Sequence, residues 1–115
     1  MTYNIHHGEG TDGVVDLGRI ARVINSADPD LVAVQEADVR TGRTGGADQV
    51  LELARLTRRH AVFGRTIPYR GGWYGNAILS RWPLNGFVNH ELPFTPGREA
   101  RGALDGLVEI PGWPV

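Results

Sequence analysis

The segment that most constrains the fold is the apolar run LVAV at residues 31–34, which has no polar alternation. Such a run predicts a strand buried on both faces, because a strand with one face in water alternates apolar and polar residues. Gln35 and Glu36 follow directly, and the strand is expected to end there. A chain with this segment needs structure packed against both of its sides.

Two amphipathic helices are predicted, one before and one after this strand. Asp16 can cap the first turn of the earlier helix, whose apolar face comprises Leu17, Ile20, Val23, Ile24 and Ala27. The later helix follows the loop TGRTGGAD, and its apolar side comprises Val50, Leu51, Leu53, Ala54 and Leu56. The two helices thus frame one buried strand.

The second half of the sequence changes character after RRH. Strands are predicted at residues 60–67, 75–80, 84–90 and 101–110, with Gly and Pro between them and no helical pattern. A start of alternating strands and helices followed by strands alone favours an α+β sandwich over a doubly wound sheet.

The final segment, GLVEIPGWPV, predicts a strand, a Pro-Gly turn and the first residues of a further strand. An unpaired apolar strand edge is an aggregation liability that complete domains cover. We therefore expect the fold to continue beyond this chain, and we expect association through the unpaired sheet edge.

Composition excludes several classes of function. The net charge of −1 gives no broad basic field for nucleic acid or anionic lipid, so anion binding must be local. The absence of cysteine excludes a disulfide framework, a thiolate nucleophile and a zinc–cysteine site. No apolar run approaches the length of a membrane span, which predicts a soluble protein of undetermined compartment.

Glu36 is the strongest candidate for a functional residue in this sequence. A carboxylate directly after an apolar strand lies near low dielectric and needs a cation, and a divalent ion with oxygen ligands is one natural partner. The alternative is that Glu36 caps a loop or pairs with Arg40 or Arg43. Both interpretations stay open on the sequence.

Asn4 lies at the end of the first predicted strand, in TYNIHHG. Its amide can orient a metal-bound carboxylate or donate to a phosphate oxygen, although asparagine also forms turns. His6 and His7 would point to opposite faces of a strand, so we do not expect the pair to share one zinc ion.

Two later stretches offer further anion contacts. In YGNAILSR, Gly75 permits a close backbone approach and Asn76 places an amide beside it. In PGREARGAL, Arg98 and Arg101 flank Glu99, which predicts either an anion contact or a solvated turn with an internal ion pair.

Taken in order, TYNIHHG, DPDLVAVQEAD, YGNAILSRWPL and REARGALDGLVEI resemble the endonuclease/exonuclease/phosphatase superfamily, the DNase I-like metal-dependent phosphoesterases. The resemblance implies a four-layer α/β/β/α sandwich that hydrolyses phosphodiesters or phosphomonoesters with Mg²⁺ or Mn²⁺. It implies that Glu36 is the metal ligand and Asn4 a positioning donor, with Asn76 and Arg101 as lesser phosphate contacts. The implied substrate is a phosphorylated small molecule, a lipid head group or a nucleic acid.

The sequence also departs from that family. Its later Gly-Asp-x-Asn and Ser-Asp-His segments, which supply acid/base groups, have no counterpart in these 115 residues. Residues 1–115 are therefore expected to be the N-terminal portion of the domain, with the first half of the site. The alternative is a catalytically inactive fragment or interaction module of the same fold.

Overall fold

The computed structural model describes residues 1–113. Its helices and strands follow in the order β1 (Thr2–Asn4), α1 (Leu17–Ala27), β2 (Leu31–Val39), α2 (Gln49–Thr57), β3 (His60–Tyr69), β4 (Gly72–Ser80), β5 (Leu84–Glu91) and β6 (Gly102–Val108). Short 3₁₀ turns lie at His6–Gly8 and Gly42–Thr44. Among the described residues, no helix is long and apolar enough to cross a membrane.

The strands form two sheets. The first has the order β1-β2-β4-β3, in which β1 is parallel to β2 and the other neighbours are antiparallel. The second consists of the antiparallel pair β5-β6, which contacts β3 and β4. The helices pack on the first sheet, so helices, first sheet and second sheet stack as successive layers of an α+β sandwich. This confirms the predicted fold class.

Both predicted helices are present and each begins at an aspartate cap. The Asp16 carboxylate accepts a hydrogen bond from the backbone N–H of Arg19 at 3.1 Å, which satisfies a donor left free in the first helical turn. At the start of α2, the Asp48 carboxylate accepts a hydrogen bond from the backbone N–H of Leu51. The predicted apolar face of α1 is only partly correct, because Ile24 is fully buried whereas Val23 is exposed.

The prediction that residues 31–34 are buried on both faces is wrong. Val32 and Val34 are fully buried, but Leu31 and Ala33 are exposed. The second sheet packs on β3 and β4, so within residues 1–113 it leaves this face of β2 open. The apolar run therefore reflects one buried face and a neighbouring face that the described residues do not cover.

The prediction that this strand ends at Gln35 and Glu36 is also wrong. The strand continues to Val39, and the register with β4 shifts between Val34 and Ala37. Such a bulge inserts an extra residue into one strand and turns its side chains locally. Glu36 thus lies at an irregularity inside a strand rather than after its end.

The later strands are where the sequence predicts them, to within three residues at each end. The expected close approach at Gly75 is also present, because a Cβ added there would overlap the carbonyl oxygen of Gly64 on β3. Of the further strand expected after Pro111 and Gly112, Trp113 forms a bend rather than a strand, and residues 114–115 lie outside the described residues.

Candidate active site

The structure brings the four predicted site residues together. Asn4, Glu36, Asn76 and Arg101 all line one cavity of about 350 Å³. The parallel pairing of β1 and β2 places Asn4, the last residue of β1, opposite Gln35 and next to Glu36 at the bulge of β2. Asn76 comes from β4, the other neighbour of β2, and Arg101 immediately precedes β6.

Glu36 has an unusual backbone conformation. Its φ of +60° lies in the left-handed region, which costs a residue other than glycine about 1–3 kcal/mol. The structure around it compensates this cost, since regular pairing with β4 resumes at Ala37. Positive φ values also occur at helix C-caps such as Asp28 and Arg58, but Glu36 lies inside a strand and is a half-buried carboxylate lining a cavity.

The alternative ion pairs of Glu36 are not formed. Arg43 binds Asp38 instead, at 2.7 Å from its Nε, and within residues 1–113 Glu36 has no ion pair. The negative charge of Glu36 acts on the neighbouring hydroxyl group of Tyr74. Burial and the Glu36 carboxylate together raise the pKa of the Tyr74 hydroxyl, which therefore stays protonated and is suited to donate into the site.

The side chain of Asn4 both forms a turn and offers a hydrogen-bond donor to the cavity. Its Oδ1 accepts a hydrogen bond from the backbone N–H of His6 at 3.1 Å, which is a turn-forming contact. Within residues 1–113 the amide nitrogen of Asn4 has no hydrogen-bond partner. The side chain thus shapes the turn with its oxygen and retains a donor at the cavity.

Asn76 and Arg101 contribute differently from each other. The amide nitrogen of Asn76 donates to the carbonyl of Gly102 at 3.1 Å, which ties the second sheet to the first beside the cavity. Arg101 is highly exposed and its guanidinium lies 3.9 Å from the Glu99 carboxylate, a loose surface pair. The ion pair between Arg101 and Glu99, one of the two predicted arrangements, is therefore present. Because this pair is loose and exposed, the Arg101 guanidinium can still bind an anion.

A second cavity, of about 200 Å³, adjoins the first. The two share Glu36, Tyr74 and Glu99, and the second is also lined by Arg43. The guanidinium of Arg43 lies 4.2 Å from the ring centre of Tyr69, so the aromatic face helps to fix it. Sequence reasoning missed this cation.

The anchor of Arg43 is Asp38. Its side chain is 0% exposed and accepts hydrogen bonds from Nε and Nη2 of Arg43, at 2.7 and 2.8 Å. Thr41 and Thr44 donate to the same carboxylate. A signal was available, because an aspartate inside the apolar stretch ADV must be paired if it is buried.

The expectation that His6 and His7 point to opposite faces is wrong. They belong to a 3₁₀ turn rather than a strand, with φ of +49° and +43°, and their ring centres are 4.5 Å apart. Both line the second cavity beside Glu36. Burial and the nearby Arg43 cation lower the pKa of His7, which favours its neutral form at pH 7.

The layered fold with a polar cavity at its sheet edge places the chain in the DNase I-like class. Its structure matches an endonuclease/exonuclease/phosphatase from Beutenbergia cavernae DSM 12333 with a TM-score of 0.78 and 34% identity, over 96% of this chain and 34% of that chain. A functionally unknown conserved protein from Enterococcus faecalis V583 matches with a TM-score of 0.72 and 21% identity, over 99% of this chain and 48% of that one. An endonuclease/exonuclease/phosphatase family protein from Leptotrichia buccalis C-1013-b matches with a TM-score of 0.71 and 15% identity, over 96% of this chain and 49% of that one.

The sequence model of the Endonuclease/Exonuclease/phosphatase family matches residues 1–115. The chain belongs to this family, which supports a phosphoesterase-type hydrolase in general terms. It spans one third to one half of the length of the solved structures described above. A comparison with curated protein sequences gave no match.

Proposed function

We propose that this chain carries metal-binding and phosphate-positioning residues of a divalent-metal-dependent phosphoesterase. The observation that carries the proposal is the position of Glu36, a strained, half-buried carboxylate in the same cavity as Asn4. A carboxylate held there without an ion pair to any residue in 1–113 favours a bound cation.

The donor atoms around the cavity suit a hard cation. Glu36 and Glu99 offer carboxylate oxygens, and Gln35 offers an amide oxygen. Mg²⁺ is commonly held by one or two carboxylates, with water and substrate phosphate completing its shell. When bound, such an ion polarises phosphoryl oxygens and activates water for attack.

The residues of this chain would then act on the phosphate group itself. The amide nitrogen of Asn4 donates to a phosphoryl oxygen, and the Arg101 guanidinium offsets negative charge. Tyr74, protonated beside Glu36, supplies a further hydroxyl donor. Asn76 has its amide nitrogen committed to Gly102, so its main effect is to hold the second sheet in place.

The substrate is a phosphodiester or phosphomonoester of a small molecule, a lipid head group or a nucleic acid. Among these, the net charge of −1 argues against a long nucleic-acid contact, since such binding depends on many cations along the phosphate backbone.

The proposal is tested on the protein produced from the complete coding region. We expect hydrolysis of bis-p-nitrophenyl phosphate or p-nitrophenyl phosphate that requires added Mg²⁺ or Mn²⁺ and stops with EDTA. Release of p-nitrophenol is followed by absorbance, with heat-inactivated protein as the control. Hydrolysis of neither ester, or hydrolysis unaffected by EDTA, contradicts the proposal.

The second sheet supports another candidate function, an interaction module. Within residues 1–113 neither outer edge of the β5-β6 pair has a strand partner, and Phe87 and Val88 on β5 are exposed. Open apolar edges pair readily with other chains. We expect the 115-residue chain to associate with rising concentration in sedimentation velocity, and a monomer at all concentrations contradicts this candidate.

A further inference from the structure

The turn after β1 brings together three side chains of metal-ligating type that the phosphoesterase proposal does not use. They are His6, His7 and Glu9, and one potential ligand atom from each lies within 4.8 Å of the others. Glu9 Oε2 is 3.6 Å from Nε2 of His7 and 3.9 Å from Nδ1 of His6. We call this group the HHE cluster.

The distances in the HHE cluster are close to those of a zinc site. Zinc binds imidazole nitrogen and carboxylate oxygen at about 2.0–2.2 Å, so ligand atoms around a tetrahedral ion lie roughly 3.3–3.5 Å apart. The two separations from Glu9 Oε2, 3.6 and 3.9 Å, exceed this by a few tenths of an ångström, and the two histidine nitrogens lie within 4.8 Å of each other. His6 is 62% and Glu9 35% exposed, so side-chain rotation can close the gap, while the less exposed His7, at 14%, fixes one corner.

The backbone of the turn is already held in the required shape. The buried Gln49 donates from Nε2 to the carbonyl of His7 at 2.8 Å, and Asn4 accepts from the N–H of His6. Glu9 N–H donates to the carbonyl of His6 at 2.9 Å, which closes the turn. Binding a metal therefore requires little ordering of the main chain, a cost that weakens metal binding by flexible loops.

The chemistry of the ligands selects the metal. Two imidazoles and one carboxylate suit borderline ions such as Zn²⁺, whereas Mg²⁺ and Ca²⁺ prefer oxygen ligands alone. The Arg43 cation lines the same cavity as His6 and His7, but its bidentate pair with Asp38 partly offsets its charge. Electrostatic repulsion of a metal ion by Arg43 is thereby reduced.

We propose that His6, His7 and Glu9 form a zinc-binding site, separate in its ligands from the proposed Mg²⁺ site at Glu36. Three protein ligands leave one tetrahedral position open for water or another ligand. Because His6 and His7 also line the cavity that contains Glu36, a zinc ion here lies beside the candidate active site. The proposal does not depend on phosphoesterase activity.

The test is isothermal titration of the 115-residue chain with ZnCl₂, together with the visible spectrum of its Co²⁺ complex. We expect saturable one-to-one binding and the absorption bands of four-coordinate Co²⁺. His7→Ala should weaken Zn²⁺ binding by roughly tenfold or more, because a neutral nitrogen ligand is removed. Glu9→Gln should also weaken Zn²⁺ binding, because it removes the carboxylate charge while keeping the shape of the side chain.

Two matched variants serve as controls. His60→Ala removes an exposed histidine of β3 outside the cluster, and Glu52→Gln removes a carboxylate of α2 that lines neither cavity. Both should bind Zn²⁺ as the unmodified chain does, and circular dichroism verifies folding of each variant. Absence of saturable binding at millimolar Zn²⁺, or equal weakening by His60→Ala and by His7→Ala, overturns the proposal. If His7→Ala does not fold, unchanged binding by Glu9→Gln overturns it.

Discussion

In the protein used for the hydrolysis assay above, replacing Glu36 with glutamine is expected to lower the rate of Mg²⁺-dependent hydrolysis of bis-p-nitrophenyl phosphate by about a hundredfold or more. The substitution keeps the size of the side chain but removes the anionic charge proposed to hold the metal. A metal ion contributes several kcal/mol to transition-state stabilisation in such reactions, and each 1.36 kcal/mol corresponds to a tenfold change in rate. The loss should appear in kcat and in the Mg²⁺ concentration needed for half-maximal activity.

Glu52→Gln is the matched control for this substitution. Glu52 lies on α2, outside the cavity, and pairs at the surface with Arg55. The same chemical change there should leave the rate and the Mg²⁺ dependence unaltered, since surface pairs contribute little. Full activity of Glu36→Gln at the same Mg²⁺ concentration would rule out Glu36 as the metal ligand.

Asp38→Ala is expected to destabilise the 115-residue chain by about 3 kcal/mol, the lower end of the cost of breaking a buried ion pair. The substitution leaves the partly buried Arg43 guanidinium without its partner and removes an acceptor from Thr41 and Thr44. Urea unfolding followed by tryptophan fluorescence measures the change. Arg43 retains some exposure, which is why the lower end applies.

The control is Asp12→Ala, which breaks an exposed pair with Arg19. It should change the unfolding midpoint far less, because solvent screens the charges. Equal losses from the two substitutions would show that the buried Asp38 network does not stabilise the fold as inferred.

The stability contributed by Asp38 also has a defined pH dependence. Burial opposes ionisation of this carboxyl, but hydrogen bonds from Arg43 and Thr41 outweigh that effect and hold its pKa below the ordinary value. A group whose pKa is lowered by folding stabilises the protein above its unfolded pKa, near 3.9. That stability is lost as pH falls through the lower pKa of the folded state, so Asp38→Ala should flatten the acid side of the stability profile.

Local signals in the sequence were sufficient for much of the fold. Asp16 predicts the start of α1 because a carboxylate cap satisfies a specific N–H donor, and that contact is present. Glu36 and Asn4 were singled out because each is a polar residue directly after an apolar stretch, and they share a cavity although Glu36 lies at a bulge inside β2. These features depend on interactions that a short sequence window specifies.

Other features depend on contacts that no short window contains. Strand periodicity assumes regular backbone, so it misplaced His6 and His7, whose positive φ values turn both rings to one side. It also missed the bulge that keeps Glu36 inside β2. The exposure of Leu31 is a property of the sheet packing, since the second sheet covers the neighbouring strands within the described residues.

The most direct measurement is an anomalous difference map from crystals of the protein produced from the complete coding region, soaked in Mn²⁺ as a substitute for Mg²⁺. We predict a peak within roughly 2.2 Å of a Glu36 carboxylate oxygen, near the distance at which such oxygens bind small divalent ions. The peak should be absent from crystals of Glu36→Gln. A peak elsewhere with none at Glu36, or one that persists in the variant, would contradict a metal-dependent phosphoesterase site built on Glu36.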